Sequence, residues 1–383
     1  MKLTAALAAF AALAPSPVVS STTTESDALK PLTITTDGIN ATFIGYGARL
    51  THLYVDDKKG DPRDVVVGYD DPVLYTNESA NHFFGAIVGR YANRIKNGSF
   101  ELDGKNYDIP KNEHDGLNTL HGGTVGYDHR NWSVAQYNTT SITYSLLDSD
   151  GFQGFPGILQ IYVTYAVLAN PPRLTTRIVA IPLDQNTPVM MSTHIYWNVG
   201  SFTSANILKD TLYMPYSDRV IPGDSILIPT GQLQSVKYPW TSPAVPLNFT
   251  GERPIGDGNG QQCGAGCDGI DNAFILDRPS AEAAESTVLQ LYSADTGIRM
   301  KVRTNMGGLQ LYNCAGMDGT VPLKGDQKQN GLEYIEKYGC LVIEPQDWID
   351  GINHPEWGRR KEQIFGPDTR VSENWAQYEF STE

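Results

Sequence analysis

The sequence predicts an all-β protein built as a large antiparallel β-sandwich. Three observations lead there. Segments dominated by Thr, Val, Ile and Tyr alternate apolar and polar residues with a period of two. Turn signals separate them at short intervals, and 37 glycines with 23 prolines fit a loop-rich chain. Helical periodicity is scarce, with SAEAAEST (280–287) as one short candidate.

Taken in order, the chain opens on MKLTAALAAFAALAPSPVVSS, one lysine followed by small apolar residues and then Pro and Ser. This is a secretory signal pattern, too short to span a bilayer, and is assigned to residues 1–20. Residues 21–383 are read as a single domain, because no repeat or low-complexity linker divides them. Strands are expected at 32–38, 41–55, 141–148, 159–168, 173–181, 287–294 and 297–305. Between 89 and 123, SFELDGKNYDIP reads as a hairpin turning at Asp103-Gly104. It would hold Arg94 and His121 at opposite ends of one rigid unit. A concave sheet face, or the loops beside it, is the expected place for a site.

The formal net charge of −14 argues against nucleic acid or an anionic membrane as partner and disfavours a phosphorylated substrate. Asn40, Asn77, Asn97, Asn131, Asn138 and Asn248 each begin an Asn-X-Ser/Thr sequon, in keeping with a secreted glycoprotein. Four cysteines allow pairing in an oxidising compartment. Cys263 and Cys267 share a Gly-rich loop, and Cys314 and Cys340 lie on apolar stretches that read as neighbouring strands. A zinc site is disfavoured, since the spacing lacks a second close pair. No metal or cofactor is expected, nor is there a Gly-X-Ser-X-Gly elbow or a Gly-rich phosphate loop.

Several residues carry possible chemistry. In THIYWN, His194, Tyr196 and Asn198 would share one strand face, and imidazole, phenol and amide together are unlike core. Alone, His194 reads more readily as a hydrogen-bonded structural residue. Glu344 ends the apolar run CLVI before Pro345; a carboxylate there is costly unless paired or functional, and a dry setting raises its pKa toward that of a useful base. Asp271 alone reads as a turn residue, and Gln310 alone is uninformative.

Together the segments GRYANRI, NTLHGG, GFQGFPG, THIYWN, DNAFIL, GLQLYN and IEPQ resemble, in order, the aldose 1-epimerase (galactose mutarotase) family, over residues 35–380. The resemblance implies a galactose-mutarotase-type sandwich and interconversion of the α and β anomers of a free aldohexose, without cofactor. It implies that Glu344 is the base and His194 the acid. It places His121 near the ring oxygen and Arg94, Asp271 and Gln310 on the sugar, with Asn93 supporting Arg94. Trp197, Tyr196 and Trp348 are candidates to stack on the sugar. A secreted fungal-type member, monomeric or weakly dimeric, is expected. A hexose-6-phosphate epimerase and a non-catalytic sugar-binding protein are the alternatives; the first would need several cations where only Arg94 is evident.

Overall fold

Two large antiparallel sheets pack face to face in the computed structural model, which describes residues 24–77, 83–237, 247–260, 264–266, 268–279 and 286–383. The outer sheet runs Ser133–Tyr137, Ser141–Asp148, Leu159–Leu168, Arg173–Pro182, Ser372–Thr382, Ile298–Thr304, Leu289–Tyr292, Thr211–Tyr213 and Arg253–Pro254. The second runs Gln234–Ser235, Arg219–Ile221, Asp271–Ile275, Gly308–Tyr312, Leu341–Gln346, Ser192–Trp197 and Ala86–Val88. A smaller sheet of Leu32–Thr36, Ile39–Ile44, Arg49–Asp56 and Pro62–Asp64 adjoins them.

Alternation decides what each face does. Along Leu159–Leu168 every second residue is buried, as in a sheet covered on one side. Its buried residues Ile161 and Val163 join Tyr378 and Phe380 from the outer sheet and Ile195, Trp197, Leu309, Leu311, Leu341 and Ile343 from the second sheet in one core. Each such large side chain contributes about 1.5–3 kcal/mol when withdrawn from water. Ser192–Trp197 and Leu341–Gln346 differ in being buried at every position, because their other face is covered too. That second face carries the polar residues.

The sequence reading of the strands holds closely. Segments 141–148 and 159–168 are strands over those same residues, and 173–181 gains one residue. The stretch 41–55 is two strands, because Gly47 and Ala48, with φ of 74° and 46°, reverse the chain. The expected hairpin forms from Ser99–Leu102 and Lys105–Asp108, and Asp103 and Gly104 both take positive φ, as a two-residue hairpin turn requires. Of the helix expected at 280–287, residues 280–285 lie outside the described residues, and Ser286 and Thr287 are not helical. The segment 1–20 also lies outside them. Among the described residues, no helix is long and apolar enough to cross a membrane.

Cys314 and Cys340 form a disulfide between neighbouring strands. They fall one step beyond the cross-strand pairs Gln310–Glu344 and Tyr312–Val342, so the bond clamps the two strands that carry Gln310 and Glu344. Cys263 and Cys267 lie outside the described residues. The bond spans 26 residues, so Cys314→Ser with Cys340→Ser is expected to cost about 3–4 kcal/mol of unfolding free energy, measured by urea denaturation. An unchanged midpoint would show that the clamp adds nothing.

Candidate active site

Glu344 faces away from the sandwich core because its neighbour Ile343 faces into it. The same alternation turns out Gln310, which pairs with Glu344 across the ladder, and His194, which precedes the Ile195–Ile343 pair. The ladder between Ser192–Trp197 and Leu341–Gln346 stops at Ile343, before Pro345, which has no N–H to donate. Ser192 Oγ and Asn374 Nδ2 instead donate to the Pro345 carbonyl, at 2.8 and 2.7 Å. Glu344 therefore sits within a buried strand that continues to Gln346. Its Oε1 lies 3.5 Å from His194 Nε2.

The hairpin segment brings the other half. Arg94–Ile95 pairs with Thr119–Leu120, so Arg94 and His121 stand side by side rather than at opposite ends of the unit. Asn93 and His121 both adopt positive φ, 59° and 51°, and lock each other in place. Asn93 N donates to His121 Nδ1, and His121 N donates to Asn93 O, both at 3.0 Å. With Nδ1 accepting, the neutral ring carries its proton on Nε2. Gly122 is required next: a Cβ there would lie 2.1 Å from the Gly89 carbonyl oxygen. Asn93 Oδ1 accepts from the Arg94 backbone N at 3.0 Å and from Nη1 at 3.3 Å.

Two of the sequence segments are scaffold. Arg90 donates to Asp148, to the Pro156 and Gly157 carbonyls and to Thr187, pinning the GFQGFPG segment. Gln153 of that segment accepts from Val125 N, supporting the loop behind His121. Asn198 does not reach the site; it donates to Gly339 O at 2.8 Å and ties down the turn before Leu341.

Asn93, Arg94, His121, His194, Asp271, Gln310 and Glu344 line one cavity of about 140 Å³, together with Phe83, Leu120, Tyr196 and Tyr312. Gln310 Nε2 donates to Asp271 Oδ1 at 2.5 Å. Burial raises the Glu344 pKa well above 4.5; Asp271 adds to the effect and Arg94 opposes it. Burial pushes His194 down to about 3 and His121 well below 6.5, the latter helped by His194 and Arg94. Burial also raises Asp271, against the pull of Arg94. The His194 Nδ1, Glu344 Oε2 and Gln310 Oε1 atoms are buried without a hydrogen-bond partner among the described residues. His121, His194 and Glu344 each offer one ligand atom within 4.8 Å of the others. The tautomer set by Asn93 opposes a metal there, because the free nitrogen of His121 carries a proton.

Trp197 is not a sugar platform. It faces the sandwich core, fully buried, with its ring 4.7 Å from that of Tyr378. Trp348 is outside the cavity lining and packs edge-on against Trp357 at 5.7 Å. Tyr196 does line the cavity. Phe83, Leu120 and Tyr312 were not singled out from the sequence. Phe83 packs its ring against both histidines, at 4.6 and 5.3 Å. Only the alternation of GLQLYN, which puts Tyr312 on the face of Gln310, carried a readable signal for any of them.

With this geometry in place, comparison with known proteins is decisive. The aldose 1-epimerase family profile matches residues 30–369. This chain belongs to the aldose 1-epimerase family. It is 44% identical to a probable aldose 1-epimerase of Arthroderma benhamiae, over 93% of this chain and 87% of that protein. It is 32% identical to the galactose mutarotase of Bos taurus, over 84% and 86% of the two chains. Its fold matches the crystal structure of a GalM/aldose epimerase homologue from C. elegans with a TM-score of 0.79 at 26% identity, covering 92% and 99%.

The epimerase site carries a stability cost with a definite sign. Because the folded-state pKa of Glu344 is raised, the native protein holds that proton more tightly than the unfolded chain does. Stability is therefore lost as pH rises from 4.5 through the raised pKa. Glu344→Gln is expected to unfold at a higher temperature than wild type at pH 7–8 and at the same temperature near pH 4, measured by calorimetry. A variant less stable than wild type at pH 8 would contradict this.

Proposed function

We propose that the protein interconverts the α and β anomers of a free aldohexose of the glucose or galactose type, with Glu344 and His194 moving the protons. The observation that carries this reading is the 3.5 Å approach of His194 Nε2 to Glu344 Oε1 in a cavity that also presents Arg94, Asp271 and Gln310.

The two groups are coupled, and their pKa values belong to the pair. Between its two titrations the pair holds one proton, on Glu344 in the sugar-free protein; the reacting form is the tautomer in which that proton has crossed the 3.5 Å gap to His194 Nε2. Ring opening takes the C1 hydroxyl proton onto Glu344 while His194 delivers its proton to the ring oxygen, breaking the bond between C1 and that oxygen. The aldehyde turns about C1–C2 by half a turn and presents its other face. Reclosure runs both transfers backward and leaves the opposite anomer. The pair thus passes from carboxylate and imidazolium to carboxylic acid and imidazole and back, with no net change in charge. In a dry site this avoids the large solvent reorganisation of separated charge. His121, with its Nε2 proton fixed by Asn93, donates toward the ring oxygen. Arg94, Asp271 and Gln310 hold hydroxyls and set the sugar's orientation.

A hexose-6-phosphate epimerase would need several cations, and among the described residues Arg94 is the one Lys or Arg lining the cavity. A non-catalytic binder would have no use for an acid and a base kept unpartnered by other groups. An extracellular setting is supported by the residue 1–20 pattern, by the Cys314–Cys340 bond and by exposed sequon asparagines at Asn77, Asn97 and Asn138.

Polarimetry on fresh α-D-glucose and α-D-galactose tests the reading. Wild type is expected to accelerate mutarotation, and Glu344→Gln and His194→Gln to lower kcat by about 10²–10⁴-fold. Rates equal to buffer with both sugars would overturn it. The second proton enters His194 only near pH 3, so activity at about pH 5 should stay close to its value at pH 7. A fall with a midpoint near 6.5, the ordinary histidine value, would contradict the pair.

A further inference from the structure

Glu113 takes no part in the proton transfers, yet it is the residue that holds Arg94. Both of its carboxylate oxygens accept from Arg94 Nε at 3.0 Å, and Oε1 accepts from Nη2 at 2.7 Å. Asn93 Oδ1 takes one Nη1 proton. A guanidinium has five N–H groups; with three engaged, one remains on each terminal nitrogen. The two side chains are nearly dry, 10% and 15% exposed, so the pairing is little screened.

The placement of Glu113 is itself built. Asn112 Nδ2 donates to the Leu120 and Gly123 carbonyls, and its Oδ1 accepts from Leu120 N at 2.8 Å. This fastens the start of the 113–118 loop to the strand before His121. The Glu113 carbonyl accepts from Gly116 and Leu117, closing the loop on itself. The carboxylate is thereby delivered to Arg94.

Charge follows from the same contacts. Asp271 Oδ2 stands 4.0 Å from Arg94 Nη2, so the guanidinium faces two carboxylates, and Glu344 lies in the same cavity. Burial keeps both histidines from holding a proton of their own near neutral pH. Among the described residues, the cavity lining has no positive charge to spare.

We propose that Glu113 is a positioning and specificity-determining residue: it aims the Arg94 fork at two sugar oxygens and cancels its charge, so that the site accepts uncharged aldoses and turns away anionic ones. This rests on the anomer-interconverting reading and narrows its substrate class. An aldose bearing a carboxylate or phosphate must bring its charge beside Glu113 and Asp271, with no cation among the described lining residues left to receive it. A neutral sugar uses the two free N–H groups without that repulsion.

The test compares D-galactose with D-galacturonate, which differs only in a carboxylate for the C6 hydroxymethyl, by exchange NMR with wild type, Glu113→Gln and Glu113→Asp. Wild type is expected to show kcat/KM at least about 100-fold lower for galacturonate. Glu113→Gln should raise KM for galactose with kcat nearly kept, and narrow the gap between the sugars by about tenfold or more. Glu113→Asp, which keeps the charge, should keep the gap. Comparable wild-type turnover of both sugars would overturn the proposal whatever the variants do. So would a gap unchanged in Glu113→Gln with KM unmoved. Either result leaves galactose turnover intact, whereas failure of the underlying reading would appear as no turnover of galactose by wild type.

Discussion

A carboxyl group and an imidazole buried 3.5 Å apart are the constraint on which the rest of this structure depends. Neither group is tolerable unpaired in an apolar core, and a carboxyl in bulk solvent binds its proton too weakly to serve as a base near neutral pH. The sandwich resolves this by alternation. Ile343 and Ile195 anchor two neighbouring strands to the core, which forces Glu344 and His194 onto the opposite face. A slip of one residue would drive both polar groups into the core and withdraw several large aliphatic side chains from it. The catalytic register is thus enforced by the same burial that stabilises the fold, and the Cys314–Cys340 bond secures it from the far end of the strand pair.

Around this pair the 89–123 segment acts as a second, strained layer. Asn93 and His121 both sit in a backbone region that costs on the order of 1–3 kcal/mol for residues other than glycine. Reciprocal hydrogen bonds between them offset that cost and return something useful: a fixed tautomer on His121 and a fixed start for Arg94. The buried Arg90 and the GFQGFPG segment hold this layer against the sandwich without touching the cavity. Binding geometry and proton chemistry therefore come from different parts of the chain, joined only in three dimensions.

Much of this was legible in the sequence where the signal is local. Period-two alternation located the strands 141–148 and 159–168 to the residue, and Asp103-Gly104 announced its turn. The ordered family segments pointed to Asn93, Arg94, His121, His194, Asp271, Gln310 and Glu344, which the fold gathers around one cavity. What was not legible depends on which face a side chain takes. Trp197 follows Tyr196 directly, so alternation sends it to the core, while Tyr196 lines the cavity. Glu113 gave no sign, since its role arises from the loop closure by Asn112 and from a partner 19 residues away. The hairpin itself is visible in the sequence, but the meeting of its flanks is not, because the two-residue ribbon Arg94–Ile95 with Thr119–Leu120 is too short to leave a pattern.

Glu344 holds a proton more tightly than an ordinary carboxyl, because burial and Asp271 disfavour its charge. Infrared titration of the protonated carboxyl band in the sugar-free protein, with Glu344→Gln subtracted, measures this most directly. The account predicts a band assignable to Glu344 that persists to a pH well above 4.5. A band that disappears with a midpoint near 4.5 would contradict it.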